Sequence, residues 1–333
     1  MDPRSRSRRR ALALAALAPA FALQRYAVAQ ERVARVGMLS WQDRGDYHLA
    51  TRAGFVDGLA AEGYVVGRNL ALFERSASND PRRFKPLARE LADEQVDLFF
   101  APATPMAAAA WSAARTTPII IATILDPVEL EFVQSLARPG TRVTGVTTMN
   151  DTLMVKRLSL LGEVVPNLKR VGVVIDEAMR DACKQEIEHT ESAARKLGLE
   201  LVVVHADRPE SLNTAFRKLV EARVQAVTTT LLSTRNGLEQ EYAAAALRHK
   251  LASMHEQEAG VRAGGLLSYG PDFVDVYRRA GRAAGRVLKG AAPATLPMEE
   301  PREFRLVVNL ATARALGTEI PPAVLLRADE VIR

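Results

Sequence analysis

Apolar runs and amphipathic stretches alternate along this chain from residue 34 onward. Ala34–Ser40 (ARVGMLS) is a short apolar run of the kind buried on both faces of a parallel sheet. Residues 47–63 follow, with Leu49, Phe55, Val56 and Leu59 at helical spacing and a stop at Gly63. Strands are expected again over 70–75, 96–101 and 118–125, with helices over 80–95 and 105–115 between them. After a strand over 143–149 the alternation restarts. Strands over 170–175, 199–205, 226–232 and 251–255 are separated by helices near Asp181, Glu210 and Leu238. Glycine-rich residues 264–270 lead into a helix over 273–289, and Pro293 and Pro297 punctuate the approach to a last strand over 303–309. Residues 321–332 read as a short helix. The pattern predicts two open α/β units, each a parallel sheet covered by helices on both faces, without a residue-level repeat between them.

The first 29 residues stand outside that pattern. Arg4, Arg6, Arg8, Arg9 and Arg10 precede an apolar segment over 11–23, too short to span a membrane, and Ala27-Val28-Ala29 is the small-x-small pattern that a signal peptidase accepts. A cleavable secretory signal is expected, with the mature chain beginning near Gln30. Ser7-Arg8-Arg9-Arg10-Ala11-Leu12 approximates a twin-arginine signal, with Ala11 where a bulkier apolar residue is usual, so both export routes stay open. The whole chain carries a net charge of +6, and removing the signal, with its six arginines and Asp2, leaves +1. Most of the basic character belongs to the signal, and a nucleic-acid partner loses its support.

The single cysteine, Cys183, excludes an intramolecular disulfide and any multi-cysteine zinc site. It lies far from the cleavage point and cannot carry a lipid anchor there, and no later stretch reaches membrane-spanning length, so no stable membrane insertion is expected. The five histidines, His48, His189, His205, His249 and His255, are scattered without metal-ligand spacing. No Gly-x-Gly-x-x-Gly, Gly-Lys-Ser/Thr or Gly-x-Ser-x-Gly motif is present. Neither a catalytic set nor a metal or cofactor is implied.

Several segments together resemble the ABC transporter substrate-binding proteins of the tryptophan/tyrosine-type group. They include Arg35-Val36-Gly37-Met38-Leu39-Ser40, Glu62-Gly63-Tyr64, Asp126-Pro127-Val128, Ala137-Arg138-Pro139-Gly140 and Ser268-Tyr269-Gly270-Pro271. At the carboxyl end, Asn309-Leu310-Ala311-Thr312-Ala313, Ile320-Pro321-Pro322 and Arg327-Ala328-Asp329-Glu330-Val331-Ile332 extend the match over nearly all of the mature chain. The chain departs from the family at Glu129-Leu130-Glu131-Phe132, where a glycine-rich stretch is usual, at Thr141-Arg142, and at Ala103, where glycine is common.

The resemblance implies the periplasmic-binding-protein type I fold, two doubly wound Rossmann-like lobes joined by a hinge. Residues 30–147 with about 264–298 would form the first lobe, and 148–263 with about 299–333 the second. It also implies a monomeric periplasmic protein that captures a small-molecule solute, an aromatic amino acid or related carboxylate, and delivers it to an ABC permease in the inner membrane. Two other readings use the same cleft: a receptor that reports occupancy to a membrane kinase, and an enzyme such as a small-acid isomerase.

In such a fold the carboxyl ends of the strands converge on the ligand. Ser40 and Trp41 follow the first strand, Thr104 and Pro105 the third, and Asp126 the fourth. The helix amino terminus at Pro105 suits a carboxylate, Asp126 an ammonium, and the face of Trp41 an aromatic ligand. Thr104 and Asp126 equally suit helix capping, and Trp41 could instead close a loop over the core. In the second lobe Asp176, Thr230, Leu231 and Tyr269 hold analogous places, and Thr148 lies at the first crossing between lobes.

Overall fold

The computed structural model describes residues 32–124, 126–148, 150–206, 211–230 and 238–333. The expected signal and Leu231 lie outside the described residues. Ala34–Arg333 form one compact unit that contains two sheets. The first sheet is built from β1 (Ala34–Ser40), β2 (Leu70–Ser76), β3 (Leu98–Phe100), β4 (Ile119–Ile124) and β5 (Val143–Thr147). Its order is β2-β1-β3-β4-β5, and every pair is parallel. All five carboxyl ends therefore lie along one edge. Helices α1 (Asp46–Ala61), α2 (Phe84–Asp93) and α3 (Thr104–Ala113) make the crossovers.

The second lobe opens with α4 (Asn150–Val164) and continues through β6 (Arg170–Asp176), α5 (Arg180–Lys196), β7 (Glu200–Ala206), α6 (Leu212–Glu221), β8 (Ala226–Thr228), α7 (Glu239–Arg248), β9 (Ala252–His255), α8 (Glu258–Arg262) and β10 (Leu267–Pro271). The chain then returns to the first lobe as α9 (Phe273–Leu288), and crosses back to supply β11 (Phe304–Asn309), α10 (Leu310–Leu316), α11 (Pro322–Leu325) and β12 (Glu330–Ile332). The second sheet is ordered β12-β11-β10-β9-β8-β6-β7 and is parallel except for the β10–β11 pair.

Two sequence expectations need correction. The return to the first lobe falls later than about residue 264, because Leu267–Pro271 pair with β9 and β11 and bury Leu266 and Leu267 with Leu306 and Val308 in the second-lobe core. The terminal segment is not one helix: only Pro322–Leu325 coil, and Glu330–Ile332 extend the sheet edge against β11. Helix α4 went unread in the sequence, although Met154, Leu158, Leu161 and Val164 recur at helical spacing and are buried.

Sheet one buries side chains on both faces. On one face Phe55 stacks on Phe100 at 3.8 Å and Tyr277 meets Phe100 edge-on at 5.3 Å. Helix α9 supplies Tyr277 and packs directly on α1, where both backbones need glycine. A Cβ at Gly58 would lie 2.0 Å from the Arg278 carbonyl oxygen, and one at Gly281 would lie 2.1 Å from that of Phe55. This contact anchors the returning helix to the first lobe. Three segments link the lobes: Thr147 to Asn150, Pro271 to Phe273, and the stretch after Glu299, whose N–H donates to Gly145 O at 2.9 Å.

Candidate functional site

The carboxyl end of β1 turns through Gly45, whose φ of 98° suits a residue without Cβ, into the amino terminus of α1. That turn, with Met38 to Trp41 before it and Tyr47, His48 and Thr51 after it, lines a cavity of about 300 Å³. Second-lobe residues close its other side: Glu239, Gln240 and Glu241 at the start of α7, and Ala259 and Ala263 around α8. The cavity is therefore interlobe, with a volume at the lower end of small-molecule sites.

Trp41 joins the two halves. Its ring meets Phe84 edge-on at 4.8 Å and packs against the first-lobe core. It also packs against Val173, Ile175, Met179 and Cys183 of the second lobe. On the same side of the molecule Glu129, in the loop after β4, accepts a hydrogen bond from Gln185 Nε2 at 2.5 Å and lies 3.0 Å from His189 Nε2, both on α5. Tyr47 faces Gln257 across the cleft, and burial pushes its phenol well above the ordinary range, helped by Tyr277, Glu256 and Glu239 and opposed by Gln257. Burial likewise holds the His48 imidazole below its usual value, opposed by Glu74.

Of the sequence-derived candidates, Ser40 and Trp41 line the cavity. Ser40 is buried, with Oγ 3.5 Å from Arg75 O. Thr104 and Pro105 open α3 but do not line the cavity, while their neighbours Pro102 and Met106 do. Asp126 closes the turn that follows it: its Oδ1 accepts from Val128 N at 2.9 Å and Glu129 N at 3.0 Å. Asp176 ends β6 and is buried, and the buried Thr230 donates to Glu186 Oε2 at 2.5 Å. Thr148 is buried at the first crossing. Tyr269 turns away from the cleft and stacks on Phe304 at 6.0 Å, because odd positions of β10 face the second-lobe core.

Sequence reasoning missed Tyr47, His48, Thr51, Glu239 and Gln257. Tyr47 and His48 follow β1 by a few residues, so the rule that strand ends and helix starts meet the ligand reaches them once the turn at Gly45 is recognised. It also missed Arg157, 1% exposed, whose Nη1 lies 3.0 Å from Glu256 Oε1 and whose Nε donates to Tyr269 O at 2.6 Å. Nothing in the sequence distinguishes this arginine from a solvated one.

A family model described as ABC transporter substrate binding protein matches residues 44–332. A tyrosine-binding protein of Clostridioides difficile (strain R20291) is 28% identical over 272 residues, covering 80% of this chain and 76% of that protein. The solved ABC domain from Streptococcus pneumonia in complex with L-Trp is 27% identical, with a TM-score of 0.80 over 90% of this chain and 99% of the other. A ligand-free, open substrate binding protein with adhesive properties from Clostridium difficile is 25% identical, with a TM-score of 0.65 over 90% of this chain and 99% of the other.

Proposed function

Because the chain belongs to the ABC transporter substrate binding protein family, we propose that it is a periplasmic receptor that holds an aromatic amino acid or related small carboxylate between its lobes and presents it, unaltered, to an inner-membrane permease. The observation that carries this reading is Trp41, a ring at the end of β1 that lines the interlobe cavity and packs on both lobes. A large flat side chain in such a place can stack on a ligand and sense lobe closure at once. Relatives described as tyrosine-binding or bound to L-Trp support the aromatic class.

Similarity to the L-Trp complex exceeds that to the ligand-free open protein, TM-score 0.80 against 0.65, at nearly equal identity. That difference supports reading this lobe arrangement as the closed one, as do the cross-cleft contacts of Glu129 and Tyr47. A ligand favours closure by its extra contacts with the second lobe in the closed form, and the permease would recognise the closed surface. The candidates Ser40, Thr104, Pro105, Asp126, Thr148, Asp176, Thr230, Leu231 and Tyr269 enter this reading unequally, with Ser40 nearest the solute and Tyr269 a support. Export through the amino-terminal signal and action as a monomer complete it. Among the described residues no helix is long and apolar enough to cross a membrane.

The test is a thermal-shift screen of the chain from Gln30 onward against tryptophan, tyrosine, phenylalanine and related carboxylates, followed by calorimetry on Trp41→Ala. Ligand at a hundred times its Kd adds about 2.7 kcal/mol of stability. A saturable shift is expected, with the compound recovered intact and affinity lowered roughly 10- to 100-fold by Trp41→Ala. No shift with any of these compounds sinks the aromatic ligand class, and conversion of the compound sinks the receptor reading.

A further inference from the structure

A second cavity of about 230 Å³ lies beside the interlobe one and shares Asp46, Tyr47 and Ala259 with it. Its wall is apolar where α1 and the start of α9 meet, at Ala50, Pro271, Phe273 and Val274. Its charged lining is unbalanced. Four acidic residues, Asp46, Glu256, Glu258 and Asp272, line it with two arginines, Arg262 and Arg305, and Glu256 is ion-paired from behind by the buried Arg157, so the surplus rests on Asp46 and Asp272. Both arginines already have acid partners, Arg305 bonding Glu258 at 2.9 Å and Arg262 bonding Glu330 at 2.8 Å.

Within the cavity, β10 presents one polar side chain from the sheet. Ser268 and Gly270 lie on the same face of the strand and both line the cavity, whereas Tyr269 between them faces the core. Ser268 is 1% exposed, and its Oγ has no hydrogen-bond partner among the described residues. A buried hydroxyl left unpaired is costly, and Ser268 lines this cavity on the same strand face as Gly270.

We infer that this side cavity is a second small-molecule site, for a protonated apolar amine without a carboxylate. The ammonium would donate to Ser268 Oγ in the field of Asp46 and Asp272, with its apolar body against Phe273, Val274 and Ala50. The surplus of acids that favours a cation repels an α-carboxylate, so amino acids are turned away here and remain with the interlobe cavity.

The experiment is calorimetric titration of the mature chain with 2-phenylethylamine and, separately, 3-phenylpropionate. Saturable amine binding is expected, at least about tenfold tighter than the acid, the size of one charge-assisted hydrogen bond. Ser268→Ala removes the acceptor, and Ala50→Phe fills the cavity from an exposed helix position. Each should weaken the amine about tenfold while circular dichroism and solute binding in the interlobe cavity stay as in the parent chain. The inference is overturned by absence of saturable amine binding, by equal binding of amine and acid, or by amine affinity unchanged in both variants, which would put the amine elsewhere.

Discussion

Arg157 Nη1 lies 3.0 Å from Glu256 Oε1, with the two side chains only 1% and 5% exposed. The arginine projects from α4, just past the first crossing between lobes, and the glutamate directly follows β9. Because Arg157 Nε also donates to Tyr269 O at 2.6 Å, one guanidinium ties a helix to two adjacent strands. Burial draws the guanidinium below its ordinary value, and Glu256 opposes that shift. Removing either charge strands the other in the interior. Arg157→Met should therefore cost about 3–5 kcal/mol in urea unfolding, and the double variant Arg157→Met/Glu256→Gln should regain much of the loss. A single variant within about 1 kcal/mol of the parent would mean that the pair is not sealed from water.

Stability should fall in mild acid through His255. Burial lowers its imidazole from 6.5 to about 4, and Gly260 and Gly265 press so closely on the ring that a Cβ at either would fall 2.2 Å from it. With the folded-state value depressed, the unfolded chain takes up the proton first as pH drops. The contribution of neutral His255 is complete above about pH 6.5 and is lost progressively as pH falls towards 4, by up to about 3 kcal/mol. Unfolding free energies at pH 7.5 and 4.5 should differ less for His255→Asn than for the parent chain. Equal pH dependence in the two would remove His255 from the account.

The alternating pattern made most strands and the wound architecture legible, because parallel strands buried on both faces are continuous apolar runs such as Ile119, Ile120, Ile121 and Ala122. It misjudged the region after residue 264 because a strand's sheet membership depends on its partners: Leu267–Pro271 look alike whether they pair with β5 or β9. Ser40 and Trp41, read from a strand end, line the interlobe cavity. Tyr269 instead stacks on Phe304, since the face of β10 depends on register, and the Asp126 carboxylate accepts from the local turn. Arg157 was invisible for a different reason, since its burial is set by a glutamate 99 residues away.

Cys183 should be inert in the closed protein. It is fully buried beside Val173, Ile175 and Met179, and burial, with Glu186 and Asp176, pushes its thiol far above the ordinary range. Iodoacetamide at pH 8 should leave the native chain unmodified while labelling it completely in urea. Since Trp41 covers this cluster, Trp41→Ala should speed native labelling about tenfold, the effect of roughly 1.4 kcal/mol on opening. Rapid labelling of the parent chain would mean that the cluster opens to solvent.

Glu129 gives the first lobe a polar hold on α5, beside the apolar one that Trp41 makes at Cys183. Its contacts to Gln185 at 2.5 Å and His189 at 3.0 Å join positions 56 and 60 apart in sequence, and both bonds require the lobes to be together. Glu129 is half-exposed, so each contact contributes little. Together they should favour the closed form by about 1 kcal/mol. A solute that selects the closed form loses that help in Glu129→Ala, so its Kd should rise about fivefold while the unfolding midpoint changes little. The ligand-free variant should also scatter X-rays as a more open particle than the ligand-free parent, and saturating solute should bring both to the same envelope. If Kd and both envelopes are unchanged, closure is carried by Trp41 and the Tyr47–Gln257 contact, and Glu129 is only a surface neighbour of α5.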